Sequence, residues 1–309
     1  MKIIITGALG HIGSKVIQNL PEKFDNSEFI LIDNFLTQRY CSLFNLPKGN
    51  RKFIEADILK DNLEKLFDGA SVVIHLAAIT DAASSFDKKE DVDQVNFVGS
   101  KKVAEACYKV GASLIALSTT SVYGTQKSVV DEACTEEELK PQSPYAESKL
   151  KMEKCLAELG QSCGLKYVVC RFGTIFGMSP GMRFHTAVNK FIWQASMGLP
   201  ITVWKTALNQ KRPYLDLEDA CRAIEFIIVE DLFTNEIFNV LTSNFAVDDI
   251  VSAIRKFIPS LQIEFVDSCI MNQLSYCVSC DKFLSKGFEF RGNLEKSVKE
   301  SIDLLKINK

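Results

Sequence analysis

Apolar positions along the chain alternate between short β-branched runs and longer amphipathic stretches, the pattern of repeated β-α-β units. Lys2–Ile5, Phe29–Asp33, Val72–Leu76, Leu114–Ser118 and Tyr167–Arg171 read as strands. Between them, Gly10–Leu20, Asp61–Phe67, Asp91–Val110 and Pro144–Ser162 read as helices. The run Val72-Val-Ile-His-Leu76 is apolar almost throughout instead of alternating. A strand with that pattern is covered on both faces, which predicts an α/β fold with a doubly wound parallel sheet.

The rhythm changes after Arg171. Gly173–Arg183, rich in Gly, Ser, Pro and Met, reads as loop, and Phe184–Gly198 as helix. Pro200–Trp204 and Lys211–Leu217 read as short strands, followed by a helix over Glu218–Val229. Phe238–Leu241 is expected to rejoin the main sheet, with helices over Val247–Phe257 and Leu294–Lys306. This divides the chain into a larger unit over 1–172 and a smaller mixed α/β lobe over 173–309, with a segment near 238–257 returning to the main sheet. No internal repeat or low-complexity tract interrupts it.

Composition narrows the partners. A net charge of −3, with 47% hydrophobic and 24% charged residues, offers no basic surface for nucleic acid or an anionic membrane. No apolar run approaches the roughly 18–20 residues that cross a bilayer, and Met1-Lys-Ile-Ile-Ile-Thr-Gly7 leads into a strand turn, unlike a signal peptide. The ten cysteines are scattered, and Cys107, Cys170 and Cys221 fall inside apolar runs. That usage is expected of reduced core thiols in a cytoplasmic chain. Cys277-x-x-Cys280 has no second pair or histidine at zinc spacing, so no metal is expected.

Chemistry begins at Thr6-Gly7-x-x-Gly10-x-x-Gly13, directly after one strand and opening a helix. Glycines there permit a tight turn, and the backbone N–H groups of His11, Ile12 and Gly13 sit at the helix's positive end, suited to a diphosphate. Asp33 closes the second strand twenty residues after Gly13, followed by Asn34. A carboxylate in that place accepts from an adenosine ribose and repels a 2′-phosphate, so the expected cofactor is NAD on a Rossmann-type sheet. Asp57-Ile58 is expected near the adenine, and the small residues of Leu76-Ala77-Ala78 permit close approach of the cofactor. His75, inside an apolar strand, reads as a satisfied core histidine.

Tyr145 and Lys149, in Ser143-Pro-Tyr-Ala-Glu-Ser-Lys149, lie one turn apart on one helix face. The ammonium is expected to favour the phenolate and pull the tyrosine pKa down from about 10. Upstream, Leu117-Ser-Thr-Thr-Ser-Val-Tyr-Gly124 places hydroxyls at a strand's carboxyl end, which in such sheets borders the ligand crevice.

With these residues in place the chain resembles the extended short-chain dehydrogenase/reductases, in their NAD-dependent nucleotide-sugar epimerase/dehydratase branch. TGALGHIG, LIDNF, EADI, HLAA, STTSVYG, SPYAESK, RFGTIFG and KRPYLDLEDA occur in that family's order. The resemblance makes Tyr145 the acid/base, Lys149 its partner and a cofactor-ribose ligand, and Thr119 the catalytic hydroxyl, with Ser118 as the alternative. It places Asn96 in support of this group and among the cofactor-binding residues, and makes Thr119, Thr120, Tyr145, Thr174, Arg183, Asn189 and Arg212 candidates for the sugar nucleotide. The family's 4,6-dehydratases carry Asp-Glu where this chain has Thr120-Ser121, neither able to take a C5 proton at neutral pH. Dehydration is therefore not expected. A family asparagine is replaced in Arg171-x-x-Thr174-x-x-Gly177, whereas Arg212 is retained and suits a diphosphate. Ser179-Pro-Gly-Met-Arg183-Phe is similar to a subgroup that includes GDP-heptose-modifying dehydrogenases.

The resemblance implies an NDP-sugar epimerase that oxidises a ring hydroxyl, expected at C4, and re-reduces the keto-sugar. An NDP-sugar 4-dehydrogenase or ketoreductase with net redox is the alternative, and a non-catalytic NAD-binding sensor a remote one. It makes residues 1–172 the NAD unit with the Tyr-Lys helix and 173–309 mainly the nucleotide-sugar lobe. A homodimer pairing the helices near Asp91–Val110 and Pro144–Ser162 is also implied.

Overall fold

The structure, a computed structural model, describes residues 1–82, 84–124, 128–267 and 275–305. Its centre is a parallel sheet of seven strands, which we label β1 (Lys2–Thr6), β2 (Glu28–Asp33), β3 (Arg51–Glu55), β4 (Val72–His75), β5 (Ser113–Thr119), β6 (Tyr167–Phe172) and β7 (Ile237–Val240). They run in the spatial order β3-β2-β1-β4-β5-β6-β7. The order reverses between β1 and β4, and ligands of such sheets bind in the crevice outside that switch point.

Both faces of the sheet are covered, for the reason its apolar runs suggest. Along β1, Ile3 and Ile5 enter one core with Val16, Ile17 and Leu20 of the helix His11–Lys23. Ile4, pointing the opposite way, enters another with Val103 and Cys107 of Ser100–Val110 and Met152 and Leu156 of Pro144–Cys163. All three isoleucines have no exposed surface. The helix Leu217–Val229 joins the first of these cores through Ala220, Ile224 and Ile227.

Several boundaries differ from the sequence expectation. Thr174–Phe176, expected as loop, is a strand parallel to Lys211–Asp216, which pairs antiparallel with Ser243–Ala246. The Thr-Ile-Phe triplet has strand propensity that the neighbouring Gly, Ser and Pro obscured. The expected helix Asp61–Phe67 begins at Leu63, because the Asn62 side chain accepts from Lys65 N at 3.1 Å and caps it. The helical stretch expected from Asp91 starts at Lys89 and carries a π-helical segment, Gln94–Gly99, before Ser100–Val110. Within the 238–257 stretch, Phe238 to Val240 belong to the main sheet, while the helix Val247–Arg255 packs elsewhere. Lys306, the expected end of the last helix (Leu294–Leu305), lies outside the described residues.

That third core gathers Phe176, Val188, Ile192, Val203, Tyr214, Ile250, Ile254, Val298 and Ile302. It is tied back by two buried carboxylates. Asp216 accepts from Ser297 Oγ at 2.6 Å, and Asp219 accepts from the Thr242 hydroxyl, Arg291 N and Gly292 N, each at 2.8 Å. Cys107, Cys170 and Cys221 are buried free thiols whose pKa values burial raises. Among the described residues no group of three metal-ligating side chains forms, and no helix is long and apolar enough to cross a membrane.

Candidate active site

The carboxyl ends of β1, β2, β4 and β5 open onto a cavity of about 630 Å³, closed on its far side by Thr174, Arg183, Trp204, Arg212 and Tyr276. Its glycine turn divides three tasks. Gly7 has φ +69°, and a Cβ there would lie 2.5 Å from Ala77 N, so only glycine lets β1 turn against the β4 end. A Cβ on Gly13 would lie 2.3 Å from Gly7 O, so this glycine lets the helix sit close on the turn. Gly10 has only one such neighbour, Gly7 O at 3.3 Å, and lines the cavity at the helix start with His11 and Ile12. This cradle suits a dinucleotide diphosphate.

Asp33 stands at the β2 end, oriented by two backbone donors: Leu9 N to Oδ2 and Phe35 N to Oδ1, both 3.0 Å. Asn34 donates to Asp57 Oδ2 at 3.2 Å, which clasps the rim on which Ile58 also borders the cavity. Leu76, Ala77 and Ala78 form the opposite wall. His11 uses its side chain for something the sequence did not suggest: Nε2 donates to Gly177 O at 2.9 Å. Burial lowers its pKa to about 4, so the ring is neutral. The donors and the acidic β2 end together fit NAD.

The helix Pro144–Cys163 starts at the cavity because the Ser143 hydroxyl accepts from Ala146 N and Pro144 occupies its first turn. Tyr145 and Lys149 therefore both line the cavity. Their charge balance differs from the expectation. Burial dominates for both, raising Tyr145 to about 12 and lowering Lys149 to about 8. The groups that hold Tyr145 down are the Thr119 hydroxyl, hydrogen-bonded to it, and the Arg183 guanidinium.

Alternation along β5 decides between the two hydroxyls. Thr119 faces Tyr145 and accepts from Ser121 N at 3.1 Å. Ser118, pointing the other way, donates its hydroxyl to Glu153. Thr120 donates to Phe172 O at 3.3 Å.

Two expected ligands stand behind the wall. Asn96, fully buried in the π segment, accepts from Ile79 N at 2.8 Å and donates to Ile79 O at 2.9 Å, so it pins cavity backbone. Asn189 is also buried. It accepts from Gly177 N at 3.3 Å and donates to Arg183 O at 3.2 Å, shaping the loop that carries Arg183. Arg183 itself donates to the Thr80 hydroxyl. Arg212 lies 5.0 Å over the Tyr276 ring, and its Nη2 is a buried donor with no acceptor among the described residues. Tyr276 escaped sequence reasoning because it follows a weakly patterned stretch; its hydroxyl donates to Thr120 O at 3.2 Å.

A sequence model of the NAD dependent epimerase/dehydratase family matches residues 3–240. The chain belongs to that family. An uncharacterized UDP-glucose epimerase of Bacillus subtilis is 30% identical over 250 residues, covering 78% of this chain and 76% of that one. A trifunctional UDP-glucose 4,6-dehydratase/UDP-4-keto-6-deoxy-D-glucose 3,5-epimerase/UDP-4-keto-L-rhamnose-reductase of Arabidopsis thaliana is 28% identical, covering 97% of this chain. The chain spans only 46% of that relative's length. Among solved structures, the UDP-glucuronic acid 4-epimerase of Bacillus cereus, in complex with UDP-glucuronic acid and NAD, superposes with a TM-score of 0.88 at 26% identity, covering 99% of both chains.

Proposed function

We propose that the protein is an NAD-dependent nucleotide-sugar epimerase acting at C4 of an NDP-sugar. The observation that carries this reading is the convergence of Tyr145, Lys149 and Thr119 with the glycine cradle in one cavity that also holds an Arg212 donor without a partner among the described residues. NAD, when bound, supplies the acceptor and later the donor of a hydride. Gly10, the amides of His11, Ile12 and Gly13, and Asp33 would hold it. Tyr145, once it is the phenolate, takes the proton of the sugar hydroxyl at its Oη and returns one after the keto-sugar has turned over. Thr119 steadies the same oxygen, the Arg183 guanidinium favours the phenolate, and the positive nicotinamide of bound NAD would favour it further. Arg212 meets the substrate diphosphate with a donor already desolvated.

Thr120 and Ser121 also line the cavity beside Thr119, where neither can remove a proton from C5, which argues for epimerisation over dehydration. The B. cereus 4-epimerase supports the same choice. The test is incubation with UDP-, dTDP- and GDP-sugars, with products read by proton NMR and NADH by absorbance. Epimer without net NADH supports the proposal. Keto-sugar with stoichiometric NADH replaces it with a dehydrogenase. Tyr145→Phe should lower turnover by about 10²–10⁴-fold, and undiminished turnover removes Tyr145 from the mechanism.

We place the protein in the cytoplasm as a homodimer, pairing the helices Ser100–Val110 and Pro144–Cys163. The neighbouring positions of these helices and the exposed ring of Tyr108 (47%) support the pairing. Light scattering at the monomer mass would overturn it.

A further inference from the structure

Glu153 lies one turn beyond Lys149 on the same helix and is only 4% exposed. Its carboxylate is met side-on by Arg171 of β6, with Nε to Oε1 at 3.0 Å and Nη2 to Oε2 at 2.6 Å, while Ser118 donates to Oε1. Arg171 is 3% exposed, and its Nη1 donates to the Tyr123 hydroxyl at 2.9 Å. Tyr123 donates in turn to Asn239 of β7 at 2.8 Å. One buried chain of hydrogen bonds thus ties the catalytic helix to β5, β6 and β7, directly behind Thr119.

Replacing such a pair by neutral side chains of similar volume is often harmless to stability. Its presence beside the Tyr-Lys pair therefore leaves room for a purpose other than holding the fold. We propose that Glu153 is a positioning residue: locked by Arg171 and Ser118, its carboxylate keeps the Lys149 ammonium charged and anchors the strand end that presents Thr119. This rests on reading Tyr145 and Lys149 as the catalytic pair.

Electrostatics agree with the geometry. Burial lowers Lys149, and Glu153 is the group that opposes it. The other groups around Lys149 do not substitute for Glu153. His75 on β4 is neutral, Tyr145 on the same helix is a neutral phenol, and Arg171 and Arg183 are cations, which cannot take the place of a carboxylate. Removing the carboxylate alone would leave the buried Arg171 without its counter-charge.

The test is NMR titration of Lys149 in lysine-labelled protein, with the resonance assigned through Lys149→Met. In Glu153→Gln the charged-to-neutral ratio of Lys149 at a given pH should fall about tenfold or more, a midpoint about one pH unit lower. In Glu153→Gln/Arg171→Met the midpoint should lie between that of Glu153→Gln and that of the wild type. A role confined to packing predicts no such order. An unmoved midpoint in Glu153→Gln overturns the proposal, as does a double variant at or below the single one. If the single variant does not fold, the double variant alone decides: a midpoint below wild type supports the proposal, and an unmoved one overturns it. The titration needs no nucleotide sugar. A moved midpoint in a protein that epimerises nothing would sink only the proposed function, whereas an unmoved one in an active epimerase would sink only this inference.

Discussion

His75 should make the fold acid-sensitive. It ends β4 beside the cavity wall, 2% exposed, with Nδ1 2.7 Å from the Thr6 hydroxyl and Nε2 2.9 Å from that of Ser100. Ser100 already donates to Asn96 O at 2.6 Å, so it accepts from His75 Nε2–H, and Thr6 donates to Nδ1. Both ring nitrogens are satisfied in the neutral form, and burial lowers the pKa from 6.5 to about 3. Between those two values the unfolded chain binds a proton that the folded chain refuses, so stability rises with pH and is lost as pH falls from 6.5 toward 3. At pH 5 the gap from the ordinary histidine value, about 1.5 pH units, corresponds to about 2 kcal/mol from this one ring. The assay is urea unfolding of wild type and His75→Gln at pH 7.5 and pH 5. Glutamine keeps a donor and an acceptor without titrating, so whatever it costs at pH 7.5, the drop between the two pH values should shrink by about 2 kcal/mol. His11, lowered to about 4, leaves a comparable acid-sensitive remainder in both proteins. An equal drop in the two proteins would refute the argument.

Asp33→Ala should weaken NAD binding and relax discrimination against NADP, since it removes both the ribose acceptor and the brace for Leu9 N and Phe35 N. Fluorescence titration with both cofactors checks this, and an unchanged preference removes Asp33 from that role. Gly13→Ala drives a Cβ to within 2.3 Å of Gly7 O and 2.7 Å of Ala8 backbone, atoms that cannot rotate away. It should cost about 1–3 kcal/mol on thermal unfolding, with weaker NAD affinity; a wild-type melting temperature would contradict the packing described.

Much of the site was legible because its motifs are local. The glycines, Asp33 and the Tyr145–Lys149 pair owe their meaning to spacing along a turn, a strand end and a helix face, which backbone geometry fixes within a few residues. Asn96 and Asn189 were expected as ligands, yet they hold the backbone of Ile79, Gly177 and Arg183 from behind. Residue identity cannot separate a group that touches a ligand from one that shapes the wall. Tyr276 sits 64 positions from Arg212, and no periodic signal connects them.

From sequence alone came the sheet, the glycine turn, the acidic end of β2 and the helix face carrying tyrosine and lysine, all products of short-range sterics and hydrophobic period. Tertiary structure decided what depends on desolvation and on contacts between distant segments. It turned Ser118 toward Glu153 and Thr119 toward Tyr145. It raised the phenol instead of lowering it, because burial outweighs the Thr119 hydrogen bond and the Arg183 guanidinium. It also left Arg212 with a buried donor and no acceptor among the described residues.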